Sequence, residues 1–364
     1  MRKVEIIISI LFLVSLPLLL SGCITVKTGG GGSANTSNIN GGIFKTTDKG
    51  TTWRQKVLIP TTSGKPGNIA GLDAASLVID PSDEKTIYFG SVSSGLFYTN
   101  DGGDNWLAVK SLSKGTVRAI AIDFNAKCSI YCSIGNKVYK TSDCTRTWSP
   151  IYTDNQGTVT VDAIAIDPYN SSIAYIGVSR GDIIKSSNAG DNIPAWQTIF
   201  RAKDKIMMIV IDPNDTKVIF AATGNKGILK STDSGNTWQN TINANLKKLN
   251  IGSLINDIVI SKGETAGMYV ATENGLAYSA DRGETWQSIN IIPPQNKAMI
   301  NDLAVNPQNA KEIYYLADTI FYRSSDGGAN WSTIKVPTTR AGWILVLDPK
   351  QTNVIYMGVK SLSK

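Results

Sequence analysis

The apolar positions of this chain fall into short runs and not into helical stripes. Leu77-Val78-Ile79 ends in Asp80-Pro81 and is followed by Thr86-Ile87-Tyr88-Phe89-Gly90. The phrase returns as Ile164-Ala165-Ile166-Asp167-Pro168 before Ile173-Ala174-Tyr175-Ile176-Gly177, and as Val210-Ile211-Asp212-Pro213 before Val218-Ile219-Phe220. It appears again as Leu345-Val346-Leu347-Asp348-Pro349 before Val354-Ile355-Tyr356-Met357-Gly358. Runs of β-branched and aromatic residues bounded by Asp, Pro and Gly predict strands joined by tight turns.

A second pattern, Ser/Thr-x-Asp-x-Gly-x-Thr/Asn-Trp, interleaves with the first. Clean copies surround Asp48, Asp101, Asp233, Asp281 and Asp326; the copy at Asp143 carries Thr145 where Gly is expected. The remaining copy has Asn188 in the Asp position, with its Trp delayed to Trp196. Successive copies are 53, 42, 45, 45, 48 and 45 residues apart, and seven of the eight Trp residues belong to them, which chance cannot produce.

Each unit therefore predicts strand, Asp-Pro turn, strand, Gly turn, strand, Asp turn and a Trp-bearing strand. Four antiparallel strands every ~45 residues make a propeller blade. The last unit, Trp343 to Gly358, has the first two strands only, and the first, Gly42 to Trp53, has the last two only. Joined, they complete a blade and leave no free sheet edge. The expectation is an all-β fold, a single seven-bladed β-propeller whose N- and C-terminal strands share one blade. In it Asp48, Asp101, Asp143, Asn188, Asp233, Asp281 and Asp326 are structural. Their side chains accept turn N–H groups, the Gly supplies a backbone conformation closed to most residues, and the Trp fills the gap between blades.

This pattern resembles the Asp-box, or BNR-repeat, propellers, from Gly41 to about Lys360. That superfamily includes sialidases, xyloglucanase-type glycoside hydrolases, sortilin-like receptors and the photosystem II assembly-factor type of seven-bladed protein. Size and single ring look most like the last group, which implies a protein-binding scaffold.

The ends and composition add a compartment. Arg2 and Lys3 precede an apolar run from Ile6 to Leu20 and the tetrad Leu20-Ser21-Gly22-Cys23. This reads as a secretory signal, too short for a membrane span, and the tetrad resembles the bacterial lipobox, which implies lipidation of Cys23. Residues 1–22 are then a signal peptide, 23–40 a lipidated Cys with a Gly/Ser/Asn tether, and 41–364 the propeller. The expected location is the extracytoplasmic side of a cell-envelope membrane, held there by lipid. Without the signal the chain has 34 basic and 28 acidic groups, spread along its length; no nucleic-acid stripe is present. The absence of His removes the commonest general base and transition-metal ligand. No cofactor and no metal are expected.

Three cysteines remain. With a hairpin turn at Gly135-Asn136, Cys128 faces Asp143, and Cys144 comes within disulfide reach. A Cys128–Cys144 bridge suits an oxidising compartment and would staple the one Asp box that lost its Gly. Cys132 stays a small strand residue.

Catalytic chemistry is sparse. No Arg precedes Ile-Pro or Leu-Pro as the sialidase resemblance would require. Xyloglucanase-type enzymes place two carboxylates between two propellers, and one propeller is predicted. Counting back four or five residues from each Asp-Pro position places Arg118, Asp162, Asn256, Asp257, Asn301, Asp302 and Trp343 around the channel mouth. Arg180 lies in a turn of the same face. The paired Asn-Asp dipeptides in adjacent blades either solvate the channel or form a polar ligand site. The leading expectation is a non-enzymatic scaffold for a protein or peptide. The second is a glycan-binding protein or glycoside hydrolase relative using Asp257 and Asp302. An enzyme would need those carboxylates converging in one cleft with a raised pKa, beside an aromatic platform such as Trp343.

Overall fold

Inner strands rich in Ile and Val are joined to their neighbours by turns that side chains build. In a computed structural model of the chain, residues 40–189, 195–240, 242–263 and 267–362 are described; the expected signal, Cys23 and most of the expected tether lie outside them. Asp80 Oδ1 accepts both the N–H and the hydroxyl of Ser82 (2.8 and 2.7 Å), and Asp167 and Asp348 accept Tyr169 N–H and Lys350 N–H at 2.9 Å. These Asx turns reverse the chain between the first and second strands of a blade.

Seven antiparallel sheets result. The first blade comprises Ala74–Asp80, Asp83–Ser91, Leu96–Thr99 and Leu107–Ala108. The next two start at Val117–Ile122 and Val161–Asp167, and the fifth and sixth at Ile255–Ile260 and Ile300–Val305. The fourth blade, Ile206–Ile211, Ile219–Thr223 and Ile228–Ser231, reduces its outer strand to a bridge between Lys230 and Gln239. The seventh pairs Ala341–Leu347 and Ile355–Lys360 with Ile43–Thr46 and Arg54–Lys56, in the order expected for closure by both chain ends.

The core is distributed between blades. Each of seven apolar clusters lies at one blade junction, including the closing one, where Ile43, Val354 and Tyr356 meet Leu77, Phe89 and Trp106. Trp106 is fully buried there and its Nε1 donates to Lys56 O of the neighbouring blade at 2.9 Å. The Gly that ends the second strand reflects close approach. A Cβ on Gly177 would sit 2.3 Å from Ile206 Cγ2 of the next blade, closer than packed atoms tolerate. Outside the blades are a hairpin of Leu58–Ile59 with Gly67–Asn68 and a short helix, Ile242–Lys247, between the fourth and fifth blades. Among the described residues no helix is long and apolar enough to cross a membrane.

Candidate functional site

The Asp-box turns occupy one face of the ring. Asp233 shows their construction: Oδ1 accepts Ser231 Oγ (2.8 Å) and Thr237 N–H (2.8 Å), and Oδ2 accepts Thr237 Oγ1 (2.7 Å). Asp48, Asp101, Asp143, Asp281 and Asp326 repeat the set, and Asn188 accepts Ala195 N–H at 2.8 Å. The turn N–H of Thr237 leads the hydrogen bonds that draw Asp233 down to about 2, and equivalent bonds from Thr147 and Asn330 do the same for Asp143 and Asp326. These carboxylates are saturated by their own turns. The position after the box Asp takes φ near +60° and the next, normally Gly, φ near +90°; in the third box Cys144 and Thr145 adopt +56° and +75°. The strain of a β-branched residue there sits beside the disulfide joining Cys128 to Cys144, whose Cα atoms are 4.2 Å apart. Cys132 is buried with a free thiol, which burial holds protonated.

The opposite face contains the channel mouth, and a repeated irregularity shapes it. Six inner strands carry a β-bulge at the same place, leaving Ala75, Asp162, Met207, Asn256, Asn301 and Trp343 as the extra residue. In the second blade the register breaks opposite Arg118 and Ala119. A bulge bends its strand and re-aims side chains, and here the bulged residues ring a cavity of about 690 Å³. Arg118, Asp162, Asn256, Asp257, Asn301, Asp302 and Trp343 all line it. Arg180 is on this face but not in the cavity wall: it is held between Asp154 (2.5 Å) and Asp182 (2.6 Å).

The Asn-Asp dipeptides work chiefly across blades. Asn256 Nδ2 donates to Ile300 O (2.5 Å), and Asn301 Nδ2 to Gly342 O (2.8 Å). Asp302 accepts Leu345 N–H of the next blade at 2.5 Å, and Asp257 accepts the equivalent Leu303 N–H. Asp257 and Asp302 are also hydrogen-bonded to each other, which requires one shared proton. Burial raises Asp257 to about 6, its hydrogen bonds opposing; burial and then the Asp257 charge push Asp302 well above the usual carboxylate range.

Across the mouth the charges are mixed. The buried Asp162 carboxylate lies 3.2 Å from Arg118 Nε and 3.6 Å from Lys205 Nζ, and accepts Thr160 Oγ1 at 2.9 Å. Lys360 Nζ lies 3.9 Å from the centroid of the Trp343 ring. Lys205 and Met207 were not foreseen, because the fourth blade has no polar residue at the bulge to mark it. Among the described residues no cluster of three or more potential metal-ligating side chains occurs.

A closed seven-bladed ring with side-chain-capped Asp turns is an Asp-box propeller. The chain belongs to the family described as Photosynthesis system II assembly factor YCF48, whose sequence pattern matches residues 37–248. It is also 26% identical over 243 residues to a xyloglucanase of a Paenibacillus species, a match covering 55% of this chain and 23% of that enzyme. The chain thus spans about a quarter of that relative's length. Among solved structures it resembles the GH74 xyloglucanase from Xanthomonas campestris, with a TM-score of 0.64, 15% identity, and 85% and 52% of the two chains covered. It likewise resembles a structure of YCF48 bound to D1 peptide, with a TM-score of 0.59, 16% identity, and 83% and 95% covered. Likeness at this identity is likeness of fold.

Proposed function

We propose that this protein is an extracytoplasmic propeller, lipid-anchored through Cys23, that binds a protein or peptide segment at the channel-mouth face and performs no catalysis. The observation that carries the reading is the contact between Asp257 and Asp302. Glycoside hydrolysis needs an acid and a second carboxylate about 5–10 Å apart, with sugar or water between them. A hydrogen-bonded pair leaves no such space. The face that Lys360 covers on Trp343 is also closed to sugar stacking. The similarity to a YCF48 structure carrying a peptide supports a peptide ligand, and loops over a rigid ring are where such partners dock. Asn40, the first described residue, is bonded through its carbonyl to Thr338 near the start of an inner strand.

The second reading, a glycan-active protein, draws on one observation: both carboxyls, with raised pKa, do share a cavity with Trp343. Incubation of the full chain with xyloglucan oligosaccharides separates the two. The proposal expects no new reducing ends. Hydrolysis by the wild type that disappears in both Asp257→Asn and Asp302→Asn would overturn it.

A further inference from the structure

The channel has a second, chemically different half. On the Asp-box side a cavity of about 560 Å³ opens between Pro81, Pro168, Pro213 and Pro349, beside the exposed ring of Phe124, and every residue lining it is apolar. It shares Leu77, Val78, Ile164, Ile209, Val346 and Leu347 with the mouth cavity, so the two adjoin along one bore. Each half is of the size that holds small-molecule ligands, and an apolar cavity holds water poorly.

Charge distinguishes the ends. Counting Lys360 over Trp343 and the single charge of the Asp257–Asp302 pair, one positive charge is left over at the mouth, where Arg118 and Lys205 share the one Asp162 carboxylate. Both side chains are more than a third exposed and free to turn toward a ligand. Facing them, Asp257 and Asp302 share a proton and repel an incoming anion less than two free carboxylates would. Lys262, which lines the first cavity just beyond the end of the inner strand Ile255–Ile260, is turned over the Tyr169 ring at 5.5 Å. We infer that the bore binds a single-chain amphiphile with an anionic head, a long-chain carboxylate. Its head lies against Arg118 and Lys205, and its alkyl tail runs down the aliphatic wall toward the ring of prolines.

The full chain carrying Cys23→Ser, so that no attached acyl group competes, is titrated calorimetrically with octanoate, dodecanoate and hexadecanoate below their micellar concentrations. Affinity is expected to rise by up to about fourfold per added methylene while the tail still enters the bore. Hexadecanoate is expected to bind at least about tenfold more tightly than hexadecyltrimethylammonium. Arg118→Glu combined with Lys205→Glu alters partly exposed side chains only, and should remove that preference for the anion. Ala165→Phe, which narrows the far half, should flatten the dependence on chain length. The inference is overturned if hexadecanoate gives no saturable binding, if octanoate binds as well as hexadecanoate, or if the ammonium amphiphile binds as tightly as the carboxylate.

Discussion

Replacing Asp302 by Asn keeps the shape of the channel pair but removes one carboxyl. The amide oxygen can still accept Leu345 N–H, and the amide nitrogen can donate to Asp257. In the wild type both carboxyls bind protons more tightly folded than unfolded, because burial penalises their charge and Asp257 opposes ionisation of Asp302. Such a pair stabilises the folded state only while protonated. Its contribution is complete below the ordinary value of 3.8 and is lost as pH rises through about 6, and further as Asp302 ionises. At about 1.4 kcal/mol per tenfold change in proton affinity, the Asp257 shift alone weakens the fold by roughly 3 kcal/mol at pH 8. Urea unfolding at pH 4.5 and pH 8 is the assay. Asp302→Asn keeps the Asp257 carboxyl and its cost, so it should match the wild type at the lower pH and exceed it at the higher by the Asp302 contribution, at least about 1.4 kcal/mol for a value raised by a unit or more. A gap that does not change with pH, or a variant less stable at pH 8, refutes the shared-proton reading.

Other consequences are simpler to measure. Trp106→Ala should cost about 3–5 kcal/mol through the cavity left at the closing blade junction, read as a lower urea midpoint. Trp106→Phe should cost less, chiefly the orphaned Lys56 carbonyl. Cys128→Ser with Cys144→Ser opens a loop of sequence separation 16 and should lower stability by about 3 kcal/mol, with a matching drop in Tm; Cys132→Ser should leave the oxidised protein's response to reductant unchanged. Asp143, Asp233 and Asp326 have folded values near 2, below the ordinary 3.8. Their contribution is present above that ordinary value and is lost as pH falls toward 2. Unfolding by acid should therefore begin below about pH 4 and begin at higher pH in Asp233→Asn.

Much of this was legible in the sequence, for identifiable reasons. Asp80, Asp167 and Asp348 build turns with their own side chains, and Thr46 through Trp53 contains every group its box needs, so local chemistry announces the blades. Ring closure followed because the two incomplete units were complementary. The position of Arg118, Asp162 and Trp343 at the mouth followed from counting along strands whose length barely varies. What counting could not supply was the direction of each side chain. A bulge re-aims Asp162 and Met207 into the bore, while Asn256 and Asn301, at the same position, turn to carbonyls of the next blade. Their conspicuous repetition reflects two adjacent junctions solved in the same way. Arg180 was drawn to the site by its turn, but Asp154, distant in sequence, claims it. The apolar half of the channel was invisible because its residues are the same Ile and Val that announce the strands.

The most direct test of the account places a photo-crosslinking amino acid at Met207 in the channel mouth and, separately, at Asn236 on an Asp-box turn. Both chains are expressed in the cells that make the protein, with Cys23 intact. The account predicts a discrete crosslinked protein from position 207 and none from 236, competed away by a synthetic peptide that copies the crosslinked segment. Crosslinking from 236 but not from 207, or at 207 to glycan alone, would contradict it.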